Sequence, residues 1–427
     1  METLHDGAAL AIDGGVPTKQ RPDPPMFPGG MSIAEEEEAA VLEVLRSKKL
    51  YRYAAGGDEP PSKVLQLEEA FAAHKGTKHA IAVTSGTAAL ICALHGVGVG
   101  PGDEVIVPAY TWVATAAAVL TTGAVPIVAE VDDTLLLDPA DFEQKITPYT
   151  KAVIPVHMRG TPAAMDEIKD VARRHNLAVI EDTAQANGAS YKGKQCGAIG
   201  DAGCYSLQFS KIITSGEGGL LTTSDDQIYK RALMYHDVNG ARDAGIPDEE
   251  ILYSVNYRMP ELMAAITLVQ LGRIEGLLAD IRTRKKMLKE GLAGVAQRKG
   301  IQFRRLTDPD GEAGISCVFF MDTPELAEQV VQAIRAENIG ANVLYQPGRH
   351  DYHVYAHWIP VLEKRTWSAN GNPYAWANRE INYSKEMCPQ SLDYLGRAVH
   401  LNVSPMLTNE DMEETIEGVN RVLEALA

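Results

Sequence analysis

Short apolar runs alternate with stretches of helical length along the chain from about residue 78. The runs are rich in β-branched residues, which is typical of strands. Strands that alternate with helices indicate βαβ units around a mostly parallel sheet, so we expect a large α/β domain on a seven-stranded sheet flanked by helices. The predicted strands are Ala80–Val83, Glu104–Val107, Pro126–Glu130, Ala152–Val156, Ala178–Glu181, Gly203–Leu207 and Gly219–Thr223, and predicted helices between them include Thr87–Leu94 and Met165–His175.

The pattern changes before this region. Residues 1–30 are rich in Gly and Pro without a sustained period, which predicts an arm that lies on the surface or on a partner. Ser32 and Glu35 have the spacing of a capping box, so a helix is expected to follow them through Leu45.

The chain beyond about residue 280 predicts a smaller α/β domain. Residues 259–290 are apolar at helical spacing and then basic, which indicates a helix that leads out of the large domain. Residues 345–388 form an aromatic, His-rich insertion with little periodicity, and an ordered loop of that length is usually functional. We therefore predict an arm at 1–30, a large cofactor-binding domain at 31–280 and a small domain at 281–427. Predicted elements of the small domain are the strand Ser316–Met321 and the helices Glu325–Ala336 and Asn409–Leu426.

Charge and cysteine content narrow the function classes. The formal net charge of −17 argues against a nucleic-acid groove or an anionic membrane surface as partner. Five scattered cysteines without CxxC spacing suggest neither a disulfide framework nor a zinc site. The N-terminus lacks a basic segment followed by an apolar run, and no uninterrupted apolar stretch of about 18 residues occurs, so we expect a cytoplasmic protein.

Two polar segments follow predicted strands, where open α/β sheets place their ligands. The turn at 84–87, Thr-Ser-Gly-Thr, joins a strand to a helix and offers hydroxyls and free N–H groups to a phosphate. A simple capped helix is the alternative. Asp182 follows another apolar run, where a carboxylate facing a pyridinium nitrogen would strengthen the ring as an electron sink. An N-cap is the alternative for this residue.

A lysine and a tryptophan follow two further strands. Lys211 lies between an apolar strand and the Gly-Glu-Gly-Gly turn at 216–219, where desolvation would lower its pKa toward that of a nucleophile. Most lysines are solvated surface charges, which is the alternative. Trp112 could stack on a flat heterocycle or belong to the core. Together the four segments provide what a pyridoxal-phosphate (PLP) site requires: a phosphate-binding turn, a carboxylate for the ring nitrogen, an aromatic side chain that stacks on the ring and a nucleophilic lysine.

These motifs resemble the DegT/DnrJ/StrS family of fold-type I PLP enzymes, the sugar and aminocyclitol aminotransferases. The resemblance is close over roughly residues 30 to 275. It implies that Lys211 carries PLP as a Schiff base and that Asp182 pairs with the ring nitrogen. By the same resemblance Gln185 bonds the ring hydroxyl or packs on the ring, Gly86, Thr87 and Ser206 contact the phosphate, and Trp112 stacks on the ring.

The resemblance also implies an assembly and a reaction. Asn256 is similar to an asparagine that reaches the cofactor phosphate of the neighbouring subunit, which implies a homodimer with shared active sites. The implied reaction moves an amino group from glutamate or glutamine to a keto-sugar, keto-cyclitol or related ketone in aminosugar or antibiotic biosynthesis. Lysine at 211 argues against the branch of the family that carries histidine there and dehydrates nucleotide sugars.

Two departures from the family pattern leave the acceptor open: His-Met-Arg-Gly at 157–160 and the insertion at 345–388. Arg159 in the first segment is a candidate anchor for an anionic group. Arg258, elsewhere in the chain, is a second candidate, and a structural ion pair explains either arginine equally well. The open alternatives are another PLP reaction on the same fold, such as a lyase, a dehydratase or an oxidative enzyme, a nicotinamide-dependent oxidoreductase, and a non-catalytic regulator with the PLP fold.

Two further motifs could be mistaken for ligand sites, and we interpret neither as one that binds a dinucleotide or a metal. The glycine run at 96–100 follows a helix rather than opening one, so we read it as a helix terminator and not as a dinucleotide-binding turn. His350, His353 and His357 are close enough in sequence to suggest zinc, but they lack an HExxH pattern and are better explained by a substrate loop or by surface. No metal is predicted.

Overall fold

Seven strands build the central sheet of the computed structural model, which describes residues 9–53, 62–238, 240 and 244–427. The strand order is β1-β9-β8-β5-β4-β2-β3, and β9 runs antiparallel to both neighbours while the other pairs are parallel. The prediction of a mostly parallel seven-stranded sheet is confirmed. The strands are β1 (His79–Val83), β2 (Glu104–Pro108), β3 (Val125–Ala129), β4 (Thr150–Val153), β5 (Ala178–Asp182), β8 (Ala202–Ser206) and β9 (Gly219–Thr223), with β6 (Ser190–Tyr191) and β7 (Lys194–Gln195) pairing as a separate ribbon.

Helices pack on both faces of this sheet, as the βαβ pattern predicts. Those of the described residues are α1 (Pro28–Met31), α2 (Glu35–Ser47), α3 (Lys63–Lys75), α4 (Gly86–Gly96), α5 (Ala114–Thr121), α6 (Pro139–Gln144), α7 (Met165–His175), α8 (Asp226–His236), α9 (Glu261–Lys299), α10 (Pro324–Ala336), α11 (Ile359–Leu362), α12 (Pro389–Arg397) and α13 (Asn409–Leu426).

The predicted capping box at Ser32 is wrong. Helix α2 begins at Glu35, and the N–H of Ala34 donates to Oε2 of Glu37 at 2.9 Å. Ser32 instead follows the short helix α1, and its hydroxyl donates to the carbonyl of Gly29 at 3.0 Å. The same type of interaction therefore occurs two residues further along the chain.

Helix α9 connects the large sheet to a second, smaller sheet. That sheet is antiparallel throughout, with the order β10-β11-β13-β12 for β10 (Gln302–Phe303), β11 (Ser316–Phe320), β12 (Ala341–Val343) and β13 (Ala398–Asn402). Apolar residues of α9 up to Leu278 pack with the large domain, and those from Ile281 onward pack with the small one. The helix runs unbroken through the predicted boundary at 280, and the exact domain limits stay a prediction.

Helix α9 is also, within the described residues, the one helix long and apolar enough to cross a membrane by length and composition. Its apolar side chains are buried in the two hydrophobic clusters instead. A long apolar helix that joins two cores passes the same test as a membrane span.

The aromatic insertion packs against the large sheet, although it lies within the C-terminal part of the sequence. Val354 pairs with Tyr110 in an isolated bridge just beyond β2. The N–H of Tyr355 donates to the carbonyl of Ala109 at 3.0 Å, and the hydroxyl of Tyr355 donates to the carbonyl of Lys385 at 2.6 Å. Trp358 is completely buried in the core of the large domain. The insertion is thereby held against the end of the sheet where the site lies.

Replacing Trp358 with alanine should loosen this attachment. Trp358 fills the core and donates from Nε1 to the carbonyl of Tyr352 at 2.7 Å, so truncation leaves a cavity and removes one of the two hydrogen bonds that this carbonyl accepts. We expect Trp358→Ala to lower the free energy of unfolding by about 3–5 kcal/mol, measured by urea denaturation. Trp367 is fully exposed in the same insertion, and Trp367→Ala should stay within about 0.5 kcal/mol of the parent. Equal losses in the two variants would contradict the packing described.

Candidate active site

The carboxyl ends of the parallel strands border a cavity of about 390 Å³. Parallel strands end at one edge of the sheet, so residues that follow different strands meet there. All but one of the predicted site residues line this cavity, and Asn256 is the exception. The predicted residues in the lining are Gly86, Thr87, Trp112, Asp182, Gln185, Ser206 and Lys211, and they are joined among others by Ser85, Thr115, Gln208, Glu217 and His353.

One end of the cavity is the turn from β1 into α4. Ser85 caps the helix, with its Oγ accepting from the N–H of Ala88 at 3.1 Å. The N–H groups before Ala88 have no acceptor within the helix, which makes this end attractive to an anion. A Cβ on Gly86 would lie 2.9 Å from the Cβ of Ser206, so only glycine lets this turn approach the end of β8. The turn therefore fits a phosphate group.

Asp182, the last residue of β5, also lines the cavity. Its side chain accepts from the hydroxyl of Thr115 at 2.9 Å and from the N–H of Ala184 at 3.1 Å. Burial raises the pKa of Asp182, and these hydrogen bonds together with the charge of Lys211 oppose that effect. A protonated ring nitrogen next to this carboxylate would favour its ionised form further.

Glu181, the residue before Asp182, forms a buried pair with His157. Glu181 and His157 are both fully buried, with His157 Nε2 2.9 Å from Glu181 Oε2. His157 Nδ1 accepts from the N–H of Ala163 at 2.9 Å, so Nε2 carries the proton that is donated to Glu181. His157 therefore supports the end of β5 and does not line the cavity.

Lys211 stands in the turn that follows β8. Its backbone N–H donates to the carbonyl of Gln208 at 3.0 Å, and its carbonyl accepts from the N–H of Gly29 in the arm at 3.0 Å. Burial lowers the pKa of Lys211; the charge of Asp182 opposes this effect and that of Arg159 adds to it. The amine is thus moved toward its neutral, nucleophilic form.

Two ring side chains, Trp112 and His353, contribute to the lining of the cavity. Trp112 is 47% exposed rather than a core residue, and its ring lies edge-on to Tyr352 with centroids 6.1 Å apart. His353 lies 4.9 Å from the same ring, centroid to centroid, and its Nδ1 is 2.7 Å from Oδ1 of Asp351. Sequence reasoning did not include His353 among the site residues. The signal was the aromatic, His-rich insertion, which suggested a functional loop without indicating which histidine enters the site.

The other two histidines of the insertion do not join His353. The rings of His350 and His357 lie edge to face with centroids 5.7 Å apart, and Nδ1 of His357 accepts from the N–H of Asp351 at 3.1 Å. Across the described ranges no group of three His, Cys, Asp or Glu side chains is placed to hold a metal ion.

Asn256 and Arg258 lie outside the cavity. Asn256 is exposed and pairs with Asp237 in an isolated bridge, and Arg258 forms an ion pair with the carboxylate of Asp237. Arg258 therefore has the structural ion pair that was the alternative to an anion anchor. Arg159 instead lines two smaller cavities, and Lys211 lines one of them as well. The contact of Asn256 with a neighbouring subunit's cofactor stays a prediction.

The residues of the main cavity fit PLP. An anion seat, a buried carboxylate, an exposed indole and a largely desolvated amine surround one space, in the arrangement that a phosphorylated pyridine aldehyde needs. The glycine run at 96–100 is not a dinucleotide turn, since α4 ends at Gly96 and Gly98 has a φ of 82°. The fold and the site together define a PLP-dependent enzyme of the α/β transferase type.

The chain belongs to the DegT/DnrJ/EryC1/StrS aminotransferase family, whose sequence profile matches residues 31–373. It is 41% identical to GDP-perosamine synthase of Caulobacter vibrioides over 69% of this chain and 79% of that protein. It is 37% identical to the L-glutamine:2-deoxy-scyllo-inosose aminotransferase of Streptomyces kanamyceticus over 79% of this chain and 83% of that protein. The predicted family, the PLP cofactor and the aminotransferase activity are confirmed.

Solved structures agree with this assignment. The structure of DesV from S. venezuelae in complex with a ketimine intermediate is 28% identical, has a TM-score of 0.75, and covers 94% of this chain and 99% of its own. The predicted fold class is likewise confirmed.

The lowered pKa of Lys211 has a measurable consequence in the cofactor-free protein. Lysine reacts with acylating reagents as the neutral amine, so a lowered pKa shifts the pH midpoint of acylation below the ordinary value of about 10.4. We expect this shift at Lys211 when trace acetic anhydride labelling is followed by mass spectrometry across pH. In Asp182→Asn the midpoint should fall further, because the carboxylate charge raises the pKa of Lys211.

Lys286, whose side chain is 75% exposed, provides an internal reference for reagent reactivity in each digest. A Lys211 midpoint at or above about 10.4, or an upward shift in Asp182→Asn, would contradict the electrostatics described.

Proposed function

We propose that this enzyme transfers an amino group from L-glutamine or L-glutamate to the ketone of a sugar or cyclitol, with PLP attached to Lys211. The observation that carries the proposal is that Lys211 and Asp182 face one cavity, with the phosphate-type turn at Gly86 on its border. The named activities of the relatives, on a perosamine sugar and on a scyllo-inosose, support this class of acceptor.

Bound PLP supplies an electron sink that lets a proton leave the carbon bearing the amino group. The protein's part begins with positioning. The N–H groups of Gly86 and Thr87 and the hydroxyl of Ser206 would hold the phosphate, and Trp112 would stack on the ring. Asp182 would keep a proton on the ring nitrogen. Its carboxylate is buried, and its hydrogen-bond donors among the described residues are a hydroxyl and a backbone N–H, so its negative charge would favour the protonated nitrogen.

Lys211 would then move the proton. When it is not attached to the cofactor, the Nζ of Lys211 would be the base that accepts the proton from the carbon bearing the amino group. The pKa of Lys211 is lowered by burial, so Nζ is available as a base nearer to neutral pH than a solvated lysine is. In the second half-reaction the same atom returns a proton as the ketone acceptor becomes an amine.

The aromatic insertion would form the acceptor side of the site. Gln185 also lines the cavity, and its Oε1 accepts from the backbone N–H of Arg159 at 3.1 Å, which fixes its amide against the 157–160 segment. We further propose that the reaction serves aminosugar or aminocyclitol biosynthesis in the cytoplasm. The active unit would be a homodimer in which Asn256 reaches the cofactor phosphate of the partner's site.

Replacing Lys211 should abolish the covalent link to PLP. Borohydride treatment of the wild-type protein should fix the cofactor on the peptide that contains Lys211, and Lys211→Ala should show no labelled peptide and no visible absorbance band from attached PLP. Transamination with L-glutamine should fall on the order of 10³-fold, the scale expected for loss of the proton-transfer group. Lys286→Ala removes an exposed lysine and should retain both label and activity. Covalent PLP on any other lysine of the Lys211→Ala variant would contradict the assignment of Lys211 as the residue that carries PLP.

A further inference from the structure

A second cavity, of about 280 Å³, has Lys211, Gln185, Ser210 and His353 in common with the lining of the main cavity. The arm closes it with Phe27, and the small domain contributes Asn402. Its polar lining includes Arg159, Lys211 and His353, and among the described residues that line it none is acidic. The space next to the reactive lysine therefore favours an anion.

Arg159 is held in place along its length. Its backbone adopts a left-handed conformation with φ at 57°, and its carbonyl accepts from the hydroxyl of Ser316 at 3.1 Å. Its Nε donates to the hydroxyl of Tyr110 at 3.1 Å. In the described part of the chain no acceptor is paired with either Nη atom, so the terminal N–H groups of a fixed guanidinium remain for a ligand.

The nearby carboxylate does not neutralise this arginine. Among the described residues Asp351 forms no ion pair within 4 Å of Arg159; its charge acts on the guanidinium at longer range, and its Oδ1 lies 2.7 Å from His353 Nδ1. The field of Arg159 also reaches Lys211, whose pKa it lowers. The guanidinium is therefore close to the place where the donor's amino group must react.

The geometry points to Arg159 as the residue that binds the α-carboxylate of the amino donor, an inference that rests on the proposed transamination. In an α-amino acid the carboxylate and the amino group share one carbon, so a cation next to Lys211 matches the donor. A cyclitol or simple sugar ketone carries hydroxyls and no carboxylate. Arg159 thus selects the amino acid in the first half-reaction and contributes little to binding an uncharged ketone in the second.

Binding of a non-reacting donor analogue tests the inference directly. Glutaramate is L-glutamine without its amino group, and butanamide is glutaramate without its carboxylate. With the PLP-loaded enzyme, calorimetry should show glutaramate binding weakened about 10- to 100-fold by Arg159→Met, the range for a lost charge-assisted pair. Arg159→Lys keeps the charge and should lose less, and butanamide should bind wild type and Arg159→Met alike.

Arg349→Met is the matched control. Arg349 lines the adjoining cavity with Arg159 but does not line the cavity beside Lys211. It should bind glutaramate as the wild type does. Weaker binding in Arg349→Met with unchanged binding in Arg159→Met would overturn the inference.

Separate half-reactions distinguish the donor from the acceptor. With L-glutamine the loss of the visible cofactor band should slow about 10- to 100-fold in Arg159→Met, while the return of the band with an uncharged ketone acceptor should keep its rate. If a nucleotide-sugar acceptor is slowed and L-glutamine is not, Arg159 binds the acceptor's phosphates and the inference is wrong. Equal slowing of both half-reactions, with PLP still bound, also overturns it.

Failure of the proposed function has a different signature. If the wild-type band is unchanged by every amino acid tested, the transamination proposal fails. The dependence of glutaramate binding on Arg159 is still measured in that case, and it supports or overturns the carboxylate site by itself.

Discussion

Glu181 determines where β5 ends, and the rest of the active site depends on that position. Its fully buried carboxylate accepts from His157 and from three backbone N–H groups of the loop at 197–200. A buried carboxylate is costly unless such bonds replace its hydration, so alternative registers that break them are disfavoured. Neighbouring strand residues point to opposite faces, and the same bonds therefore direct Asp182 into the cavity. A shift of one residue would exchange the two acids.

The sheet and the cofactor side of the site could be predicted because both depend on local sequence. Every predicted strand overlaps an observed one, since buried parallel strands are near-continuous apolar runs. The largest difference is β4, which ends at Val153 rather than Val156, and Val156 contributes an isolated bridge to Asp182. Once the strands are known, topology alone brings their carboxyl ends together.

What could not be predicted depends on contacts between distant parts of the chain. The bridge between Tyr110 and Val354 joins the insertion to the end of β2, and no periodicity in either segment specifies that pairing. His353 enters the site only because of this attachment. The capping prediction failed for a local reason instead, since the hydroxyl of Ser32 donates to the carbonyl of Gly29. At the start of α2 it is the N–H of Ala34 that bonds the side chain of Glu37.

The two departures from the family pattern meet in space, although about 190 residues separate them in sequence. Arg159 from the 157–160 segment and His353 from the insertion line the same two smaller cavities, and Lys211 lines one of them. The family motifs, at Gly86, Asp182 and Ser206, line the main cavity, which includes Lys211 and His353 but not Arg159. The family motifs and Arg159 thus line separate cavities that have Lys211 in common. In a chain with a net charge of −17, the cavity lined by Arg159 and Lys211 still presents local cationic groups, because an anion responds to the nearest desolvated charge far more than to the screened total.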